Sequence, residues 1–272
     1  MIPAFALNHI AAPARDFAAF AALCTDLGIT KVEIRNDLPG VALQDGTPAA
    51  AIRAAAAAAG VTILTINALQ RFNIWDEDRA REAEALAAYA QAAGARALVL
   101  CPLNDRADLR DETVRAADLR TALHALAPIL QRHGLRGLVE PLGFEESSLR
   151  LKRTAIDAID AAGQGAVFSV LHDTFHHFLA GETEFFPART GLVHISGVED
   201  GALKPADIRD AHRVLVGEAD LMDNVGQIRS LLQGGYGGPF SFEPFSAEIH
   251  ALPDVAAALR ASIAFLTDTV QA

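Results

Sequence analysis

Residues 114–142 read VRAADLRTALHALAPILQRHGLRGLVEPL. Through residues 114–133 apolar side chains recur at helical spacing with Arg and Asp between them, the pattern of an amphipathic helix. It stops at Gly134, a residue that accepts the left-handed conformation at a helix end without a Cβ penalty. Residues 136–142 then bring a short, nearly continuous apolar run, as expected of a parallel strand covered on both faces. Helix, glycine and buried strand make one repeating unit.

The same unit recurs on both sides of this stretch. Helices ending near Gly28, Gly60 and Gly94 hand over to predicted strands at Lys31–Arg35, Thr62–Leu69 and residues 97–103. Further strands are predicted at residues 166–173, 191–198 and 239–245, and one at residues 5–11 precedes the first helix, which makes eight. Ala49–Ala59 is rich in the best helix former, and Glu77–Ala93 is amphipathic. After Asp173 only a short helix fits, and residues 199–221 form a long loop of the kind that commonly carries function. Eight alternating units without a proline-rich linker predict an α/β fold, a single (β/α)8 TIM barrel over residues 1–272, in preference to an open doubly wound sheet.

Composition narrows the function. Hydrophobic residues at 51% and charged residues at 21% are globular proportions. Lys and Arg number 23 against 34 Asp and Glu, and the resulting charge of −11 argues against a nucleic-acid partner. Cys24 and Cys101, the only cysteines, are too few for a disulfide framework and fit a reducing, cytoplasmic setting. No run approaches about 18 apolar residues, so no membrane span is expected. Residues 1–4 carry no basic region ahead of an apolar one, so no secretory leader is expected either. Neither a phosphate-binding glycine fingerprint nor a Gly-x-Ser-x-Gly elbow occurs.

In a barrel of this kind chemistry gathers where strands end. Four consecutive predicted strands close on polar residues that interrupt apolar runs: Val139-Glu140-Pro141, Leu171-His172-Asp173, Val193-His194-Ile195 and Phe242-Glu243-Pro244. Glu140, Asp173, His194 and Glu243 should converge at the mouth, where crowded carboxylates call for a cation. Three oxygen ligands and one imidazole suit one divalent metal ion, Mn2+, Co2+, Mg2+ or Zn2+. His176 lies about a turn beyond Asp173, either donating to substrate or packed on Phe175. His172 and His177 should point elsewhere, in a supporting role. Arg213, on the long loop, either holds substrate hydroxyls or is solvated. Glu33, Arg35, Asn67, Phe72, Asn73 and Cys101 end strands two to four or follow them, and these residues shape the pocket, or Glu33 and Arg35 pair with each other. His9 has no assigned role, while His124, His133, His212 and His250 are expected to face solvent.

Val-Glu-Pro-Leu-Gly-Phe from Val139, His-Asp-Thr-Phe-His-His from His172, Val-His-Ile-Ser-Gly from Val193 and Phe-Glu-Pro-Phe from Phe242 resemble the xylose-isomerase-like barrels of sugar isomerases and epimerases, over nearly the whole chain. Within them, Glu33-Ile34-Arg35, Asn67-Ala68-Leu69, Phe72-Asn73, Asp173-x-Phe175-His176 and Arg213-Val214 leading to Gly217 resemble the inosose (2-keto-myo-inositol) isomerases. His9 departs from them, following Asn8 where they carry an acidic residue. The resemblance implies that Glu140, Asp173, His194 and Glu243 hold one divalent cation and that Glu140 and Glu243 act as the acid/base pair. It also implies that His176 and Arg213 touch substrate oxygens, with Glu146 in support.

The implied substrate is a small polyol or ketose, the reaction a carbonyl shift through an enediolate, and the assembly a homodimer with no organic cofactor. Ketose 3-epimerase, hydroxypyruvate isomerase and a noncatalytic polyol-binding barrel share these ligands. An abasic-site endonuclease would need histidines where strands two to four end in Glu-Ile-Arg, Asn-Ala-Leu and Cys-Pro-Leu.

Overall fold

The computed structural model describes residues 2–38 and 45–271; Met1, part of the expectation about a leader, lies outside them. Eight parallel strands close into a barrel in chain order: β1 Phe5–Asn8, β2 Lys31–Arg35, β3 Thr62–Leu69, β4 Ala97–Leu100, β5 Arg136–Val139, β6 Phe168–Asp173, β7 Thr190–Ile195 and β8 Phe240–Phe242. The seam is β1 against β8, with Phe5, Ala6 and Leu7 opposite Phe240, Ser241 and Phe242. Around them lie α1 Phe17–Asp26, α2 Ala49–Ala59, α3 Glu77–Ala93, α4 Glu112–Arg132, α5 Lys152–Ala161, α6 Thr174–Ala180, α7 Asn224–Gln233, α8 Ala247–His250 and α9 Val255–Gln271. No described helix is long and apolar enough to cross a membrane.

Several strands stop earlier than the sequence predicts, for backbone reasons. β4, β5 and β8 end just ahead of Cys101-Pro102, Glu140-Pro141 and Glu243-Pro244, where proline has no N–H to give a ladder. β1 stops at Asn8 because residues 9–11 wind into a 3-10 turn, whose Ile10 N–H is accepted by the Asn8 side chain at 3.1 Å. β7 ends at Ile195, and two residues on Gly197 exchanges a pair of 2.8 Å hydrogen bonds with Val214. That bridge pins the far end of the long loop to the barrel top. A Cβ on Gly197 would lie 2.9 Å from the Leu215 carbonyl oxygen, so the approach requires glycine.

Successive strand residues face opposite sides of the sheet, and this places the site. Val99, Leu138, Leu171 and Leu192 pack together inside the barrel with Ala68, Ala97 and Cys101. Their neighbours Leu98, Val139, Val170 and Val193 join the larger core between sheet and helices. Two residues beyond Leu138, Leu171 and Leu192 come Glu140, Asp173 and His194, which therefore share the interior. Apolar packing fills the lower barrel, and charged groups cap it.

Candidate metal centre

Glu140, Asp173, His194 and Glu243 each offer a ligand atom, and these atoms all lie within 4.8 Å of one another. All four side chains are buried. His194 Nδ1 is 3.0 Å from Glu243 Oε2, 3.2 Å from Glu140 Oε1 and 4.0 Å from Asp173 Oδ2. Three carboxylates this close repel one another unless a cation or protons intervene. Burial opposes a charge on His194, yet the Glu243 and Glu33 carboxylates outweigh it and raise the imidazole well above its ordinary pKa. Three oxygens and one imidazole nitrogen around one point are a donor set that fits a divalent ion, with Nδ1 as the nitrogen ligand.

Glu33 stands on the other side of the imidazole. Its carboxylate lies 3.1 Å from His194 Nε2 and accepts from Thr65 Oγ1 at 2.6 Å, from Asn67 Nδ2 at 2.9 Å and from Ser241 Oγ. Burial alone would raise the Glu33 pKa, but His194 beside it brings the carboxyl below its usual range. Glu33 and Arg35 thus do not pair with each other. Arg35 donates instead to Glu243 Oε1 at 3.0 Å and to both oxygens of Asp37 at 2.8 Å.

Arg213 is the most consequential departure from a surface reading. It is 1% exposed, and its Nη2 donates to Asp173 Oδ2 at 2.7 Å and to Glu243 Oε2 at 2.9 Å. Its Nε donates to Ser196 Oγ at 2.9 Å, and its guanidinium lies 4.8 Å from the ring centres of both Phe175 and Phe245. Glu243 receives a further bond from Asn8 Nδ2 at 3.1 Å. Burial works against the Glu243 charge, but His194, Arg213 and Arg35 together hold its carboxyl far below the ordinary range. Asp173 goes the other way: burial raises its pKa despite Arg213.

Beside Glu140 and Glu243 opens a cavity of about 460 Å3, lined also by Cys101, His176 and Arg213, a size in the range of small-molecule sites. Another cavity of about 530 Å3, at α4 and residues 147–151, shares none of these residues. His176 Nδ1 accepts from the Gly143 N–H at 3.2 Å, which leaves Nε2 to carry the proton. A Cβ on Gly143 would sit 2.2 Å from the His176 carbonyl oxygen, so this contact also requires glycine. Cys101 Sγ donates to Glu140 Oε2 at 3.3 Å.

Other candidates fall elsewhere. Glu146 does not join the quartet: it faces Arg106 at 3.6 Å and lines a separate depression. Phe72 packs in the outer core, and Asn73 ties Leu103 N–H and Ser148 Oγ, so neither lines the cavity. His9 is buried, stacked 4.3 Å from the Phe20 ring, with Nε2 on the Arg15 carbonyl. His172 meets Gln227 at 3.0 Å and His177 meets Lys152 at 2.7 Å, both outside the quartet. Of the four histidines expected at solvent only His124 is exposed; His133, His212 and His250 are half-buried, His133 against Glu84. The sequence reading missed Asn8, Ser196 and Ser241. Only the inward parity of Asn8 and Ser241 could have signalled them.

The family described as xylose isomerase-like TIM barrel matches residues 21–269. A crystal structure of a xylose isomerase domain containing protein from Salmonella typhimurium LT2 is 36% identical, covering 100% of this chain and 99% of that one with a TM-score of 0.90. The IolI protein with a bound zinc atom is 20% identical, covering 98% of each chain with a TM-score of 0.85. An L-ribulose 3-epimerase is 16% identical, covering 99% of this chain and 95% of that one, with a TM-score of 0.74. No curated protein sequence matches the chain.

Proposed function

The chain belongs to the family of xylose isomerase-like TIM barrels, and from that premise we propose that it is a divalent-metal-dependent isomerase acting on a polyol ketone, with 2-keto-myo-inositol as its substrate. The observation that carries the reading is the buried quartet of Glu140, Asp173, His194 and Glu243, two of which, Glu140 and Glu243, line the mouth cavity. The zinc atom in the similar IolI structure supports a cation at such a site. The inosose assignment rests on the sequence resemblance at residues 33–35, 67–69, 173–176 and 213–217.

Glu140, Asp173, His194 and Glu243 would hold the ion. When bound, it supplies positive charge that polarises a ketone and favours the enediolate left by loss of a neighbouring proton. Glu140 is the proton acceptor in this reading: among the described residues its Oε2 meets only the Cys101 thiol on the cavity wall. Glu243, gripped by Arg35, Arg213 and Asn8, faces the substrate as the second carboxylate of the pair; return of the proton from Glu140 to the former carbonyl carbon, with the hydroxyl proton passing from one substrate oxygen to the other, would complete the carbonyl shift. His176 orients a substrate oxygen by donating to it, while Arg213, whose donors go to Asp173, Glu243, Ser196 and Asp210, holds the carboxylates beside the substrate in place.

The test is metal analysis and a substrate screen on one preparation. Stoichiometric divalent metal with turnover of inososes is expected, lost on chelation and restored by the ion. Turnover of ketohexoses alone would overturn the substrate, and full activity in a metal-stripped sample would overturn the mechanism. Glu33 offers a separate check. Because it orients His194 from behind, Glu33→Gln should weaken metal affinity by about 10- to 100-fold, read by calorimetric titration; unchanged affinity would deny that role.

A further inference from the structure

We propose that Arg71 binds the edge of the substrate remote from the quartet, its guanidinium donating to two neighbouring hydroxyls of the polyol. Three arginines line the mouth cavity, Arg35, Arg71 and Arg213. Arg35 and Arg213 are committed to carboxylates. Arg71, exposed at the rim beside Gln70, has no carboxylate partner among the described residues.

A free surface arginine alone would mean little, but the backbone beneath this one is unusual. Arg71 has φ 50°, a left-handed conformation that only two other described non-glycine residues adopt, Phe186 and Asp223. Glycine would take that turn without strain, so the side chain is present at a cost. The turn is also held on both sides. Phe72 is fully buried and its N–H donates to the Cys101 carbonyl at 3.1 Å, while the Arg71 carbonyl accepts from Ile74 N–H at 3.0 Å. A rigid base thus presents an uncommitted cationic head on the wall of the cavity that Glu140 and Glu243 line. Asp105, an acidic residue on that wall, accepts from Ala107 N–H at 2.8 Å.

Guanidinium carries donors only, in a planar fork that matches two oxygens on adjacent carbons. A polyol gripped at the floor by its ketone and neighbouring hydroxyl leaves its remaining hydroxyls toward the rim, where Gln70 and Asn104 also stand. The ligand's identity rests on the isomerase reading; the placement of Arg71 does not.

The test is calorimetric titration of the metal-loaded chain with 2-keto-myo-inositol and with its analogue lacking the two hydroxyls farthest from the ketone. The wild type should bind the full polyol about tenfold more tightly. Arg71→Ala should lose that preference, weakening the polyol about tenfold and leaving the analogue unchanged, and Arg71→Lys should restore only part of it. Equal weakening of both ligands, or no change in either, overturns the proposal. Wild-type protein that binds with this preference yet turns over no inosose overturns the isomerase reading alone; binding of neither ligand overturns both.

Discussion

Glu140→Gln should lower kcat by about a thousandfold, the scale of a lost general base, with the fold intact. Glutamine keeps the volume and one oxygen toward His194, where Glu140 Oε1 now lies 3.2 Å from Nδ1. What it loses is the second oxygen as a proton acceptor on the cavity wall. Glu243→Gln should behave differently. Its carboxylate accepts from Asn8 and Arg35 on one oxygen and from Arg213 on the other, so an amide N–H there would face guanidiniums. That variant should lose thermal stability as well as rate. The measurement is kcat at saturating Mn2+ with metal content verified, beside a melting curve for each variant. More than about a tenth of wild-type kcat in a fully loaded Glu140→Gln protein would exclude Glu140 as the base.

The quartet was legible because strand parity is a local property. Glu140, Asp173 and His194 each follow an inward-facing leucine by two positions, so alternation alone sends them to one interior. Strand ends were less legible, since apolar runs continue past prolines that the ladder cannot use. What parity does not give is the partner across the barrel. Glu33 and Arg35 share a face and invite a local ion pair, yet Glu33 meets His194, 161 positions away, because closure at the β8–β1 seam brings β7 within three strands of β2. Arg213 was named as a candidate, but its burial among the carboxylates was not legible, for a related reason. It lies on a loop with no periodicity, and its burial depends on the Gly197–Val214 bridge drawing that loop over the mouth. Glu146, another loop residue, was placed by resemblance alone and lies beside Arg106.

Arg213→Met should destabilise the metal-stripped protein by about 3–5 kcal/mol, the cost of removing one partner from a buried ion pair, or roughly 10 °C in Tm for a chain of this size. The variant keeps an apolar stem between Phe175 and Phe245 but leaves Asp173 and Glu243 without the guanidinium they share at 2.7 and 2.9 Å. A divalent cation among the same carboxylates would supply much of the missing charge. Saturating Mn2+ should therefore raise the Tm of the variant by several degrees more than it raises that of the wild type, since a ligand stabilises in proportion to its preference for the folded state. Melting curves for both proteins, each with chelator and with Mn2+, measure the difference. A Tm loss of the same size in both conditions would mean that the ion and Arg213 do not act on the same carboxylates. The quartet would then have to be read as an ion-pair network built around His194 and two arginines, with the chemistry sought elsewhere.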